Sequence, residues 1–153
     1  MNIFKNITVG GVPKEILIQR LIESGVQFNE YAKILFEHQD FSPESPCKNF
    51  TLIKMKPTDL GLNNPYSLED AITLASSFGL LPCPLYLAAF LRLEYLDQAE
   101  GPYLTVVSHR PEYDENYPAG FYIRKLDNTL WLRGYGAFGK CDHPSNNELI
   151  FLK

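Results

Sequence analysis

Little in this chain points to a covalent framework, a membrane anchor or a bound metal. Its three cysteines, Cys47, Cys83 and Cys141, are odd in number and widely spaced. They make no disulfide framework and fit a reducing cytoplasm. The N-terminal stretch 1–11 has no apolar run of signal-peptide length and nothing in the chain approaches a membrane span, so a cytoplasmic protein without a membrane partner is expected. Histidine is scarce, at three residues. The only close pairing with cysteine, Cys141–Asp142–His143, falls short of the three or four ligands that zinc takes in paired short spacings. No metal and no cofactor is therefore expected. Positive charge is in deficit: 14 Lys and Arg stand against 18 Asp and Glu, a formal net charge of −4. That balance disfavours broad electrostatic binding to nucleic acid.

Several motifs that carry chemistry elsewhere are incomplete here. The glycine-rich run Gly134 to Gly139 lacks the lysine–threonine pair and following helix of a phosphate cradle. Glu112, Asp114 and Glu115 lack the glycine and bidentate glutamate of a calcium loop. A Cys141–His143 nucleophile pair has the sequence neighbourhood of such a couple without the spatial relation it needs. There is no internal repeat and no low-complexity segment.

What is present is an ordinary globular composition, 45% apolar and 21% charged, over 153 residues. This is the size of one domain. Residues 1–11 read as a lead-in or short edge strand. Pro13 opens a helix with Ile16, Leu17, Leu21 and Ile22 at helical spacing, closed by Gly25. Asn29 caps a second helix with Tyr31, Ile34 and Leu35 on its buried side. A breaker-rich segment, Asp40 to Pro46, separates this helical lead-in (1–46) from the remainder (47–153). Phe50 to Met55 reads as a strand. Ser67 and Asp70 start a helix whose apolar stripe is Ala71, Ile72, Leu74, Ala75 and Phe78. Leu85 to Phe90 reads as a short buried helix. From Leu91 the period changes to two, which predicts a strand over 91–95, then strands over 103–109 and 148–152. Helices early and strands late predict an α+β fold. Its sheet is mostly antiparallel, a meander in the C-terminal half, with the helices of the N-terminal half on one face.

The centre of interest is Gly120 to Tyr135, which reads as a hairpin turning at Asp127–Asn128 and holds the only tryptophan. The two-residue period places Phe121, Ile123, Leu130 and Leu132 toward the core. Tyr122, Arg124, Trp131, Arg133 and Tyr135 then share the other side, with Arg92, Glu94 and His109 assigned to neighbouring strands. Guanidinium groups interleaved with aromatic rings suit anionic or planar partners, through stacking and bidentate hydrogen bonds. The same residue types dominate protein–protein hot spots. They also pair across exposed strands with no ligand at all, and a one-residue slip of register would exchange the two faces.

Four strings taken together, Asp59–Leu62, Gly79–Pro84, Leu91–Gln98 and Leu130–Tyr135, are similar to those of a group of small bacterial proteins of unassigned function. The resemblance spans roughly residues 50–153. It implies an α+β domain with arginine and tryptophan at these positions, and it carries no activity.

Three functional classes remain in view. The leading expectation is a non-enzymatic interaction module that holds a protein partner on the Arg/aromatic face. The second is an enzyme or binder for an anionic small molecule or nucleotide, with Arg92 and Arg133 as clamps and Glu94 or His109 as acid and base. An enzyme of that kind predicts a concave pocket joining these residues, whereas an open face favours a partner. The third, single-stranded nucleic-acid binding on an aromatic sheet, suits the residue types but is disfavoured by the acidic balance.

Overall fold

Adjacent residues of the central strands bury themselves in two different cores, and this places the sheet in the middle of the molecule. In β3 (Lys48–Met55), Leu52 faces one core and Ile53 the other; in β7 (Asn147–Leu152), Ile150 and Leu152 face the first while Leu149 and Phe151 face the second. A strand buried on both faces reads as a nearly continuous apolar run, as NELIFL does.

The computed structural model describes all residues 1–153. Its remaining elements are β1 (Ile3–Val9), α1 (Lys14–Glu23), β2 (Gln27–Phe28), α2 (Glu30–Phe36), a 3-10 turn (Pro57–Leu60), α3 (Leu68–Ser76), α4 (Leu87–Glu94), β4 (Tyr103–Val106), β5 (Gly120–Leu126) and β6 (Thr129–Tyr135). The seven strands form one sheet in the order β1-β3-β7-β4-β5-β6-β2. The fold is α+β and most pairings are antiparallel, as expected. Two are parallel: β7 returns beside β4, and β2 lies along β6. No helix is long and apolar enough to cross a membrane.

The larger core holds α1, α2 and α4 against one face of the sheet, through Leu17, Leu21, Leu35, Phe36, Leu87 and Leu91. The smaller core lies on the opposite face, where α3 and the 3-10 turn pack through Leu60, Leu68, Ala71 and Ala75. α3 thus departs from the shared helical face. Its start follows expectation: Ser67 Oγ accepts from the Asp70 amide at 3.0 Å, and the Asp70 carboxylate accepts from the Ser67 amide at 3.1 Å. That interaction also holds the Asp70 carboxyl below its usual range.

Residues 1–46 are built into the same sheet and core: β1 is an edge of the sheet, and Ile7, Leu17 and Leu35 share a core with Leu104 and Phe121. Three expectations need correction. In α2 the buried residues are Ala32, Leu35 and Phe36, whereas Tyr31 (36% exposed) and Ile34 (41%) face outward. Ile16, Ile22 and Phe78 are likewise exposed. Most consequentially, residues 91–94 continue helix α4 rather than forming a strand. The alternation Leu91–Arg92–Leu93–Glu94 imitates a half-buried strand only if Arg92 is assumed to face water, and Arg92 is completely buried.

Candidate site on the open half of the sheet

The hairpin forms as read. Asp127 and Asn128 both adopt positive φ, 52° and 60°, which matches the right-handed twist of a two-residue turn to its strands. The register pairs Gly120 with Tyr135, Tyr122 with Arg133, and Arg124 with Trp131. Phe121, Ile123 and Leu132 are buried beneath α2 and α4, and Leu130 packs partly against them. Tyr122, Arg124, Trp131, Arg133 and Tyr135 lie on the other side of the ribbon, all half-buried. Tyr135 packs against the α3 core, and α3 with the segment 141–147 borders Tyr103, Thr105 and Tyr122. Arg124, Trp131 and Arg133 lie outside that lining and stay partly exposed.

The two guanidinium groups are held by aromatic rings and neutral oxygens. Arg133 lies 3.9 Å over the Trp131 ring, and its Nη1 donates to the Tyr122 hydroxyl at 3.4 Å. Arg124 lies 4.1 Å over Tyr103, with Nε donating to the Gly101 carbonyl at 2.7 Å and Nη1 to the Tyr103 hydroxyl at 2.9 Å. Neither has a carboxylate partner; the ion pairs are Lys33–Glu30 and Arg110–Glu69, and the carboxylates of Asp40 and Glu112 lie beside the His38 ring. The Nε of Arg133 is buried without any acceptor. Stacking pre-orders both side chains, so little rotamer entropy remains to be lost when an anion is bound.

The other expected members are elsewhere. Arg92 sits on α4 beneath the hairpin, not on the open face. Its Nη1 donates to Gln98 Oε1 at 2.7 Å, the Trp131 carbonyl at 3.2 Å and the Arg124 carbonyl at 3.5 Å, and its Nη2 donates to the Tyr95 carbonyl. Burial pulls its pKa down to about 10, so it remains a cation near neutrality. Glu94 is exposed at the end of α4, and His109 is exposed beyond the end of β4. Neither of these two groups is hydrogen-bonded or ion-paired to the arginines. Cys141 donates weakly to loop carbonyls and His143 stacks on Tyr66; no three metal-ligating side chains gather anywhere in the chain.

Sequence reasoning missed Tyr103, the ring beneath Arg124. The same two-residue period, carried into β4 where Leu104 and Val106 are buried, sets Tyr103 and Thr105 on the open face. It also missed Asn29, whose carboxamide grips Gly134 from across the sheet edge. No signal in the sequence links those two positions.

Burial holds the phenol groups of Tyr66 and Tyr135 above their usual value of 10.0. The unfolded chain then ionises first as pH rises. Their contribution to stability is complete below pH 10 and declines as pH climbs toward the folded values, by up to about 1.4 kcal/mol per pH unit for each group. Urea unfolding at pH 8 and pH 11 should therefore give a lower midpoint at pH 11. Tyr135→Phe should narrow that difference, and an unchanged difference would show that Tyr135 does not titrate in this way.

No family model, curated protein or solved structure matches the chain. The geometry of the open face therefore carries the functional reading.

Proposed function

We propose that this is a non-enzymatic interaction protein that works in the cytoplasm and holds an acidic segment of a partner protein on the open β4-β5-β6 face. One observation carries the reading: Arg124 and Arg133, at diagonal positions of the β5–β6 ladder and each stacked on an aromatic ring, have no carboxylate partner in a chain of net charge −4. Local positive charge on an acidic body selects acidic partners and supplies orientation as well as attraction. Trp131 and the tyrosines add contact area with few rotamers to freeze, the pattern of a protein-binding hot spot. Three free thiols suit a reducing compartment.

The enzyme reading is less well supported, because Arg92 is sealed within the fold and neither Glu94 nor His109 approaches Arg133. The net charge speaks against single-stranded nucleic acid.

The test is capture of partners by immobilised protein, comparing the wild type with Trp131→Ala/Arg133→Ala. The double variant should retain its circular dichroism spectrum and lose at least about tenfold of the specifically held partner, since each truncated hot-spot residue costs on the order of 2 kcal/mol. Capture by the wild type should weaken with added salt. Undiminished capture by a folded double variant would remove the proposal.

A further inference from the structure

Beside the open face, and sharing Tyr103, Tyr122 and Tyr135 with it, lies a cavity. It sits between α3, the middle of β4 and β5, and the segment 141–147, and has a volume of about 170 Å³. An engineered apolar cavity of about 150 Å³ is large enough to bind benzene. Its apolar lining comes from Leu68, Ala71, Val107 and Leu149.

The walls are built rather than accidental. Tyr66 pairs its backbone reciprocally with Cys141, at 3.0 Å in each direction. The His143 ring stacks on the Tyr66 ring at 3.8 Å and 14°, and Asn64 bonds both backbone groups of His143. Asn147, only 5% exposed, accepts from Thr105 Oγ1 at 2.7 Å and donates to the Tyr66 hydroxyl at 3.4 Å. Residues distant in sequence are thereby fastened around one space.

Four phenols line that space: Tyr66, Tyr103, Tyr122 and Tyr135. Three of them already accept a hydrogen bond, from Asn147, Arg124 and Arg133 respectively, and none of the four donates one to the protein. Tyr66 is 5% exposed. A phenol that accepts from a guanidinium is polarised toward donating its own proton. The polar complement of the cavity is thus a set of donors backed by Arg124 and Arg133. The one carboxylate of the lining, Asp142, is exposed. A ligand here must supply an acceptor, and negative charge on that acceptor is favoured over positive.

We propose that this cavity binds a one-ring aromatic carboxylate, with the ring against Leu68, Ala71, Val107 and Leu149 and the carboxylate accepting from the tyrosine hydroxyls. The cavity shares Tyr103 and Tyr122, with Arg124 and Arg133 behind them, with the open face, but its ligand requires no protein partner.

Benzoate and benzylamine, equal in ring and opposite in charge, are the probes. Titrated into ¹⁵N-labelled protein, benzoate should give saturable millimolar shifts at the amides of Thr105, Tyr122, Ala137 and Asn147, and benzylamine should bind at least about tenfold more weakly. Tyr66→Phe and Tyr135→Phe keep the rings and remove the donors. Each should weaken benzoate by about tenfold, the worth of one hydrogen bond to a charged group. Ala137→Phe, which fills the cavity, should abolish binding; if it does not fold, the two tyrosine variants carry the test. Absence of saturable shifts, equal binding of benzylamine, or benzoate affinity unaffected by both tyrosine variants would overturn the proposal.

Discussion

Arg92→Ala is expected to destabilise the protein by about 3–5 kcal/mol, the range for emptying a large buried position and stranding its polar neighbours. Arg92 is the largest fully buried side chain, 0% exposed. Its guanidinium serves Gln98 Oε1 and the carbonyls of Tyr95, Arg124 and Trp131. Truncation removes the packing of its stem and leaves those acceptors facing a dry void. Arg92→Lys keeps the charge but cannot reproduce a planar fork that spans several acceptors, and should cost about 1–3 kcal/mol. Urea unfolding followed by far-ultraviolet circular dichroism gives both values. A loss below about 1 kcal/mol for Arg92→Ala would mean that water replaces the guanidinium at little cost. Arg92 also grips the backbone of Arg124 and Trp131, two of the residues displayed on the opposite face of the ribbon. It supports the candidate site from behind rather than belonging to it.

Gly134→Ala should cost about 2–3 kcal/mol through overpacking. A Cβ built at Gly134 would stand 2.8 Å from the carbonyl carbon and Cβ of Tyr31 and 2.9 Å from the Ala32 nitrogen, so the first turn of α2 would have to move. The approach is close because Asn29 draws the two segments together. Its carboxamide donates to the Gly134 carbonyl at 2.9 Å and accepts from the Gly134 amide at 2.9 Å, while also capping the Ala32 amide at 2.9 Å. The short strand β2 pairs with Trp131 and Leu132, and the Asn29 side chain then stands in for the next pair of that ladder. Asn29→Ala should cost a further amount of similar size, about 2 kcal/mol, for a lost cap and two lost bonds. The two changes act on one contact, so the double variant should fall short of additivity by at least about 0.5 kcal/mol. Strict additivity in denaturation measurements would show that the helix and the strand are not coupled through Asn29.

Local rules were enough for the hairpin. A two-residue alternation bounded by Asp127–Asn128 sets which side chains share a side of the ribbon, because a strand has no other way to arrange successive residues. The start of α3 was legible for a similar reason, since Ser67 and Asp70 satisfy first-turn amides within four residues of one another. Residues 91–94 were not legible. Four residues of alternation fit a strand and one turn of a buried helix equally well, and only the environment of Arg92 separates them. That environment comes from Gln98, Arg124 and Trp131, the latter two more than thirty positions away.

The sequence by itself determined the α+β class and the division of Gly120–Tyr135 into a core side and a displayed side. Each of these depends on periodicity or composition, which are local. Tertiary structure decided that Arg92 lies inside, that Glu94 and His109 stand apart from the arginines, and that Tyr103 joins them. It also decided that Tyr66, Tyr103, Tyr122 and Tyr135 enclose one cavity. Those outcomes depend on which strands become neighbours and where α3 stops along the sheet. β7 enters between β3 and β4 only after the rest of the sheet has been specified in the chain, so no window of sequence contains the arrangement.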